Sequence, residues 1–463
     1  MSVYKTLKAA VLLLLVFQST VLLAQAQPVD PAASLPEKNL GYLSELLDSA
    51  LKQSPRMVEQ SIAIARAEAD VLNAKSARLP SLNGNVRYAY ETVSASKSPS
   101  TAGQGFFYNL NATQSLYRWG ETRSTIEINE LERLMKEKSY AEAYRSLAAE
   151  VRAQFLALII THKGLGIRAQ AMEQSSSALA ELQERNRIGL TSLGELKMAE
   201  MSLEEAKFSQ ERERYDFEGQ RRGLARLVGM QDIPEDRIPD TLPAPVVQPD
   251  QAARLLAWFE QSDRLEATPS IMMARTQVRQ GDLRYQVARV RLLPKLELQA
   301  SNSLENTTYL IGGKVDQSAT NRSSIGIAAN WNIFDGFATR AAKRRALADR
   351  REAEGHLKSA LQSFADQKQV SVTQFEFATR ALGFAERRLD LSRQGLAYTE
   401  QEVKSGRQSS AAVEGMRNSV LSAESSVLSA RATVYARWGD LLALLWADPC
   451  LEKLPVNFLS HGK

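Results

Sequence analysis

Histidine, cysteine and paired carboxylates usually carry catalysis, and in this chain they are few and scattered. The 463 residues include three histidines, His162, His356 and His461, and one cysteine, Cys450. No two histidines are spaced to share a helix face, so no histidine pair is set up to hold a metal ion. A single cysteine excludes an intrachain disulfide and any cysteine-built zinc site. Neither G-x-S-x-G nor H-E-x-x-H occurs. The sequence therefore assigns no catalytic residue, no cofactor-binding residue and no metal ligand, and the chain reads as not an enzyme. His162 falls within an apolar helical pattern with no second ligand near it, and reads as a packed polar residue.

The charge pattern narrows the setting. The formal net charge is +5. The N-terminus "MSVYKTLKAAVLLLLVFQSTVLLAQAQP" has Lys5 and Lys8, an apolar run, and a small-residue cleavage pattern at Ala24-Gln25-Ala26. This is the signature of a secretory leader over residues 1–26. Its removal takes away two lysines and no acids, so +5 minus 2 leaves +3. So small and dispersed a charge does not suggest a nucleic-acid partner. No cysteine follows the cleavage site, which argues against a lipid anchor on the mature N-terminus. Beyond the leader the densest apolar run, "FLALII" at 155–160, is short and flanked by Arg152, His162 and Lys163. A mature chain of this kind does not cross a membrane as a helix, and any crossing must be made by strands.

Prolines and glycines reveal a duplication. Pro55 and Pro80 are 25 residues apart, as are Pro269 and Pro294. Pro80 to Gly120 is 40 residues and Pro294 to Gly336 is 42; Gly120 to Gly189 is 69 and Gly336 to Gly406 is 70. The first repeat is placed at 27–230, with strands about 82–117 and a helical hairpin about 121–228. A proline-rich linker at 231–250 leads to the second repeat at 251–447, with strands about 295–334 and a hairpin about 338–445. A tail at 448–463 follows. The fold class is mainly α with a small β portion.

The long helical stretches hold sixty-odd residues, which at ~1.5 Å each give rods of roughly 100 Å. Such a rod must bury a stripe along its length. Ala141, Tyr144, Ala148, Val151, Phe155, Leu158, His162, Leu165, Ala169 and Met172 alternate steps of three and four, a heptad seam. Val370, Phe377, Ala381, Phe384, Leu391 and Tyr398 form a matching but weaker seam, with Arg388 and Glu402 intruding. The strand segments alternate with period two. Val86, Tyr88 and Tyr90 share one face of the first, and Ile325, Ile327, Ala329, Trp331 and Ile333 share one face of the last. About ten residues each matches a tilted strand crossing a bilayer. Tyr88, Tyr90, Tyr117, Trp119, Trp331 and Phe334 sit where interfacial aromatics fall. Four strands alone cannot close a barrel, so a membrane reading requires several copies to share one.

Together these signals resemble the TolC family of outer-membrane efflux proteins. The resemblance covers essentially the whole mature chain and rests on "ARLPSL" and "VRLLPKLEL" before each strand pair, "QSLYRWGETRS" and "NWNIFDGFATRAAKRRA" after it, and "NRIGLTSLGELKMAE" at the first hairpin tip. It implies a homotrimer in the cell outer membrane with a large periplasmic part. Long helical hairpins would form a periplasmic α-barrel, and four strands from each chain a twelve-stranded β-barrel. It also implies a periplasmic adaptor (membrane fusion) protein, an inner-membrane transporter of RND or ABC type reached through that adaptor, outer-membrane lipid as a further partner, and no cofactor. The implied function is the exit duct of a tripartite efflux pump or type I secretion system, passing small molecules or polypeptides. The alternative is a periplasmic coiled-coil structural or adaptor protein without a pore.

Carried onto this sequence, the adaptor-contacting hairpin tips are Gly189, Leu190, Thr191 and Ser192, and Gly406, Arg407, Gln408 and Ser409. The helix-to-strand junctions are Pro80, Gly120, Pro294 and Gly336. Well-studied members carry aspartates after the second tip glycine, whereas "GRQSSAAVEGM" offers only Glu414, and the first tip Glu195. These two are the candidate entrance charges, with Arg407 expected to pair across the tips with Glu195. The cluster Arg340, Lys343, Arg344 and Arg345 reads either as a solvated helix face or as a contact to lipid phosphates.

Overall fold

The structure, a computed structural model, describes residues 35–95, 98–248, 250–261, 265–266, 268–311 and 314–455. The expected leader at 1–26, Pro249 of the linker and His461 lie outside them. Eight α-helices and four strands are described. In chain order they are α1 (Gly41–Gln53), α2 (Pro55–Ser76), β1 (Ser81–Ala95), β2 (Ser98–Tyr117), α3 (Glu121–Arg187), α4 (Leu193–Val228), α5 (Gln251–Gln261), α6 (Pro269–Arg289), β3 (Lys295–Ile311), β4 (Lys314–Asn330), α7 (Ala338–Lys404) and α8 (Ser410–Leu444). α3 and α7 are each 67 residues long. Among the described residues no helix is long and apolar enough to cross a membrane. The helix α5 did not stand out in the sequence, although Ala252, Leu255 and Phe259 form its buried stripe.

Two compact units divide the chain: residues 1–59, 140–268 and 363–463 form one, and 60–139 with 269–362 the other. In the first, the α3 seam is the core. Ala141, Tyr144, Ala148, Val151, Phe155 and Leu158 are wholly buried, against Phe217, Leu224 and Val228 of α4 and Leu428, Ala432 and Tyr435 of α8. His162 continues the seam half-buried, stacked on Phe217 at 5.3 Å between ring centroids, with Nδ1 3.0 Å from Asp240 Oδ1. A buried charge cluster ties the unit's ends together. Arg152 donates from Nη1 and Nη2 to Asp448, the latter at 2.8 Å, and from Nε to Glu37. Burial works against ionised Asp448, but the Arg152 hydrogen bonds and charge outweigh it and hold the carboxyl below the usual range.

The α7 seam behaves differently from its expectation. Val370, Phe377, Phe384, Leu391 and Tyr398 are each more than half exposed, at 52–68 %. In this unit α7 instead buries the apolar residues Phe364, Phe375, Ala378 and Leu382, with Phe375 against Trp438 of α8 at 5.1 Å. The period of seven is real, but among the described residues of the single chain this stripe stays largely exposed.

The second unit holds an antiparallel sheet of order β1-β2-β3-β4. Its strands run 15 to 20 residues, longer than the ten expected. β4 ends at Asn330, so Trp331, Ile333 and Phe334 lie beyond the strand rather than in it. Chain reversal intervenes there, because Asp335 Oδ2 accepts from the backbone N–H and hydroxyl of Thr339 at 2.8 and 2.6 Å and so starts α7.

Candidate functional site

The residues singled out in the sequence fall in two regions: the sheet with its junctions, and the hairpin tips. On the sheet, register separates the faces. Leu82, Val86, Tyr88 and Tyr90 pair with Ala112, Tyr108, Phe106 and Gln104 of β2. Across β2 and β3 the same face continues through Leu298, Ala300 and Leu304 to Ile327, Ile325 and Asn321. Leu82, Val86, Tyr88 and Tyr90 are 69–70 % exposed, and Ile325 and Ile327 at least as much. The opposite face carries Asn83, Asn85, Arg87, Asn109, Asn111, Glu305 and Arg322, with the Arg87 guanidinium 4.7 Å from the Phe107 ring centre. The apolar stretch shifts along the register, from 82–90 in β1 to 296–304 in β3 and 325–329 in β4, so the band runs obliquely across the strands as it does when strands tilt. An apolar face, a polar face and two edge strands are what a segment of a transmembrane barrel requires.

Pro80 and Pro294 stand immediately before β1 and β3. A proline there removes a helix hydrogen bond and drives its predecessor toward extended backbone. The returns use left-handed backbone at two successive residues: Trp119 (φ 52°) and Gly120 (84°), then Gly336 (61°) and Phe337 (69°). The sequence marked only the glycines. Both indoles are pinned to one turn: Trp119 Nε1 donates to Pro294 O at 2.7 Å and Trp331 Nε1 to Leu292 O at 2.9 Å. Beside them Arg118 Nη2 donates to Glu297 Oε1 at 2.9 Å, and Lys295 Nζ lies 2.7 Å from Glu121 Oε2.

The tips are built alike. Gly189 (φ 77°) and Gly406 (φ 71°) take the left-handed conformation that closes a helix. Leu190 N donates to Arg185 O at 2.8 Å and Arg407 N to Glu402 O at 2.9 Å, the same bond in each repeat. Ser192 and Ser409 then become the N-caps of α4 and α8. Thr191 O accepts from Asn186 Nδ2 at 2.8 Å, and Gln408 is exposed beside Arg407.

Their side chains differ. Glu195 closes a capping box with Ser192: its Oε2 accepts from Ser192 N at 3.0 Å while Ser192 Oγ accepts from Glu195 N at 3.2 Å. Arg407 turns to Glu402, 3.5 Å away. The expected Arg407–Glu195 pair is therefore absent, because each group finds its partner within its own turn. Glu414 is exposed one turn into α8. At the first tip Ile188, Leu190 and Leu193 are 58–68 % exposed, an apolar cap on a polar stem.

Sequence reasoning missed a second uncovered stripe. Met201, Phe208 and Tyr215 of α4 repeat every seven residues and are 66–72 % exposed. Within the chain α3 lies against α4 (Thr161 Oγ1 donates to Gln220 Oε1 at 3.0 Å), and α8 lies against α7 (Arg393 Nη2 donates to Glu424 Oε1 at 2.9 Å). The stripes on α4 and α7 are left over. The spacing of seven was the signal that could have found the α4 stripe.

The sequence matches the outer membrane efflux protein family over residues 46–230 and 262–445, one stretch in each repeat. No curated protein matches it significantly. Several solved structures share its fold. The outer membrane protein VceC of Vibrio cholerae is 17 % identical with a TM-score of 0.67, covering 89 % of this chain and 98 % of its own. The CmeC outer membrane channel of Campylobacter jejuni is 16 % identical with a TM-score of 0.70, covering 88 % and 85 %. The open-state MtrE outer membrane channel of Neisseria gonorrhoeae is 19 % identical with a TM-score of 0.65, covering 87 % and 88 %.

Proposed function

This chain belongs to the outer membrane efflux protein family, and from that premise we propose that it works as a homotrimeric, passive exit duct of an efflux complex. It is a non-enzymatic outer-membrane protein with a large periplasmic helical part. One observation carries the oligomeric reading: a four-stranded sheet with an exposed apolar face has both edges, β1 and β4, unpaired among the described residues. In hydrocarbon every backbone N–H and C=O must be bonded, so an open sheet cannot stand there alone. Pairing β4 of one copy with β1 of the next repeats a head-to-tail contact that closes after a few steps, and three copies give twelve strands. The leftover stripes on α4 and α7 offer the same head-to-tail contact among the helices.

Transport through such a duct needs no reaction. The polar sheet face, with Arg87, Asn109, Glu305 and Arg322, supplies a wettable lining. The driving force comes from an inner-membrane transporter of RND or ABC type, coupled through a periplasmic adaptor that docks on Gly189–Ser192 and Gly406–Ser409. The cargo is small molecules of an efflux pump or polypeptides of a type I secretion system. The test is the native mass of mature protein extracted from outer membranes in mild detergent, followed by conductance in planar bilayers. About three times a chain of at most 51.3 kDa, conducting without an energy source, is the expected result. A monomer recovered without detergent would sink the reading.

A further inference from the structure

We propose that the first turns of α7 dock the phosphate groups of anionic phospholipid in the periplasmic leaflet. This rests on the outer-membrane location and on the apolar sheet face being the lipid face. Arg340, Lys343, Arg344 and Arg345 occupy the first two turns of α7. Among the described residues none of them makes an ion pair, whereas Arg350 further along pairs with Asp282 at 3.0 Å and Glu354 at 2.9 Å.

Of the four, Arg340 stands in the first turn, where a cation opposes the positive end of the helix dipole, and the other three lie beyond the turn the dipole reaches, so the dipole stabilises none of them. Helix stability therefore does not account for them. Nor does the duplicated fold: the counterpart helix α3 opens with Glu121 in its first turn, while α7 has no acid there. An anionic partner would remove the conflict.

The neighbours indicate which anion. Phe337 is 65 % exposed and packs edge-on against Phe334, itself 69 % exposed, at 5.5 Å. Arg340 and Arg344, four residues apart, share one face of α7, and Phe337 is the left-handed residue immediately before that helix. Trp331, the next residue beyond β4, is 61 % exposed. Along the chain from the end of β4 the order is thus indole (Trp331), phenyl rings (Phe334 and Phe337), then guanidinium groups (Arg340 and Arg344). That is the order of chemistry across a membrane boundary, with rings at the carbonyl level and cations at the phosphates. A soluble anion would have no use for the exposed rings, which is why the strip is assigned to lipid.

The test uses the full oligomer in zwitterionic detergent, incubated with phosphatidylglycerol and phosphatidylcholine in equal amounts. Retained lipids are counted by native mass spectrometry. Each basic group near an anionic surface contributes severalfold to affinity. Arg340→Gln with Arg344→Gln should therefore lower phosphatidylglycerol retention on the order of tenfold or more and leave phosphatidylcholine unchanged, while Arg340→Lys with Arg344→Lys should keep most of it. Unchanged phosphatidylglycerol retention in the glutamine variant overturns the proposal, as does its displacement by millimolar inorganic phosphate. Should the glutamine variant not assemble, the wild-type preference for phosphatidylglycerol must fall as salt rises, and a flat salt response overturns the strip. Failure to retain either lipid would count against the membrane reading itself, which separates the two.

Discussion

Phe384 offers the sharpest test of the uncovered stripe. Its side chain is 68 % exposed in one chain. A covered phenylalanine buries on the order of 200 Å², so roughly 130 Å² remains for a neighbouring copy. At ~25 cal/mol per Å² that is about 3 kcal/mol for each contact, and about 10 kcal/mol over a closed ring of three. Phe384→Ala should lower the dissociation temperature of the detergent-extracted oligomer without changing the helical content of the separated chain. Phe377→Ala, two helical turns away and 61 % exposed, should act similarly, and the double variant should sum the two losses. Phe375→Ala is the contrast: that ring is 4 % exposed and packs on Trp438 inside the same chain. It should loosen folding of the chain, not selectively its association. An unchanged dissociation temperature for Phe384→Ala would refute the assignment of the stripe to a neighbouring copy.

Asp448→Ala leaves the guanidinium of Arg152 buried with Glu37 as its remaining carboxylate. Loss of one member of such a pair costs about 3–5 kcal/mol, so protease cleavage within 446–455 should quicken by two orders of magnitude or more, and Arg152→Met with Asp448→Leu should restore protection. Because the Asp448 carboxyl is held low in the folded chain, its contribution is present above the unfolded value of about 3.9 and fades only as pH falls through the folded one. Protection of the tail should thus be flat from neutral pH to about 5; loss in that range would mean another group controls it. Leu190→Glu places a charge on the exposed apolar cap of the first tip, and should abolish efflux in a susceptibility assay while native mass stays that of the wild type. Undiminished efflux would remove this tip from the docking surface.

Much of the architecture was legible because prolines and glycines punctuate it at matching intervals. Pro80, Pro294, Gly189 and Gly406 mark changes of backbone that few other residues perform, so their spacing reports topology directly. The strand ends were harder to see. Residues 305–311 and 314–321, "ENTTYLI" and "KVDQSATN", belong to β3 and β4 but alternate poorly. Neither stretch keeps its apolar residues to alternate positions, and period two is the signal on which strand recognition rests. Conversely, the string from Trp331 to Phe334 alternates but lies past the strand, because Asp335 has already committed the chain to α7. The cover of the α7 stripe was hidden for another reason. Periodicity shows that a face is apolar without saying whether its cover lies in the same chain. The partners of Glu195 and Arg407 were equally hidden, since choosing between a capping box and a cross-tip pair depends on distances of a few ångströms.

The length of the strands has a consequence for what the cell shows its surroundings. Crossing the hydrocarbon at a steep tilt uses about ten residues, whereas the strands hold 15, 20, 17 and 17. In the proposed barrel the remainder of each hairpin, roughly five to ten residues at ~3.3 Å apiece, would stand clear of the lipid on the outer side. That collar is the part of this protein which antibodies and phages can reach on an intact cell.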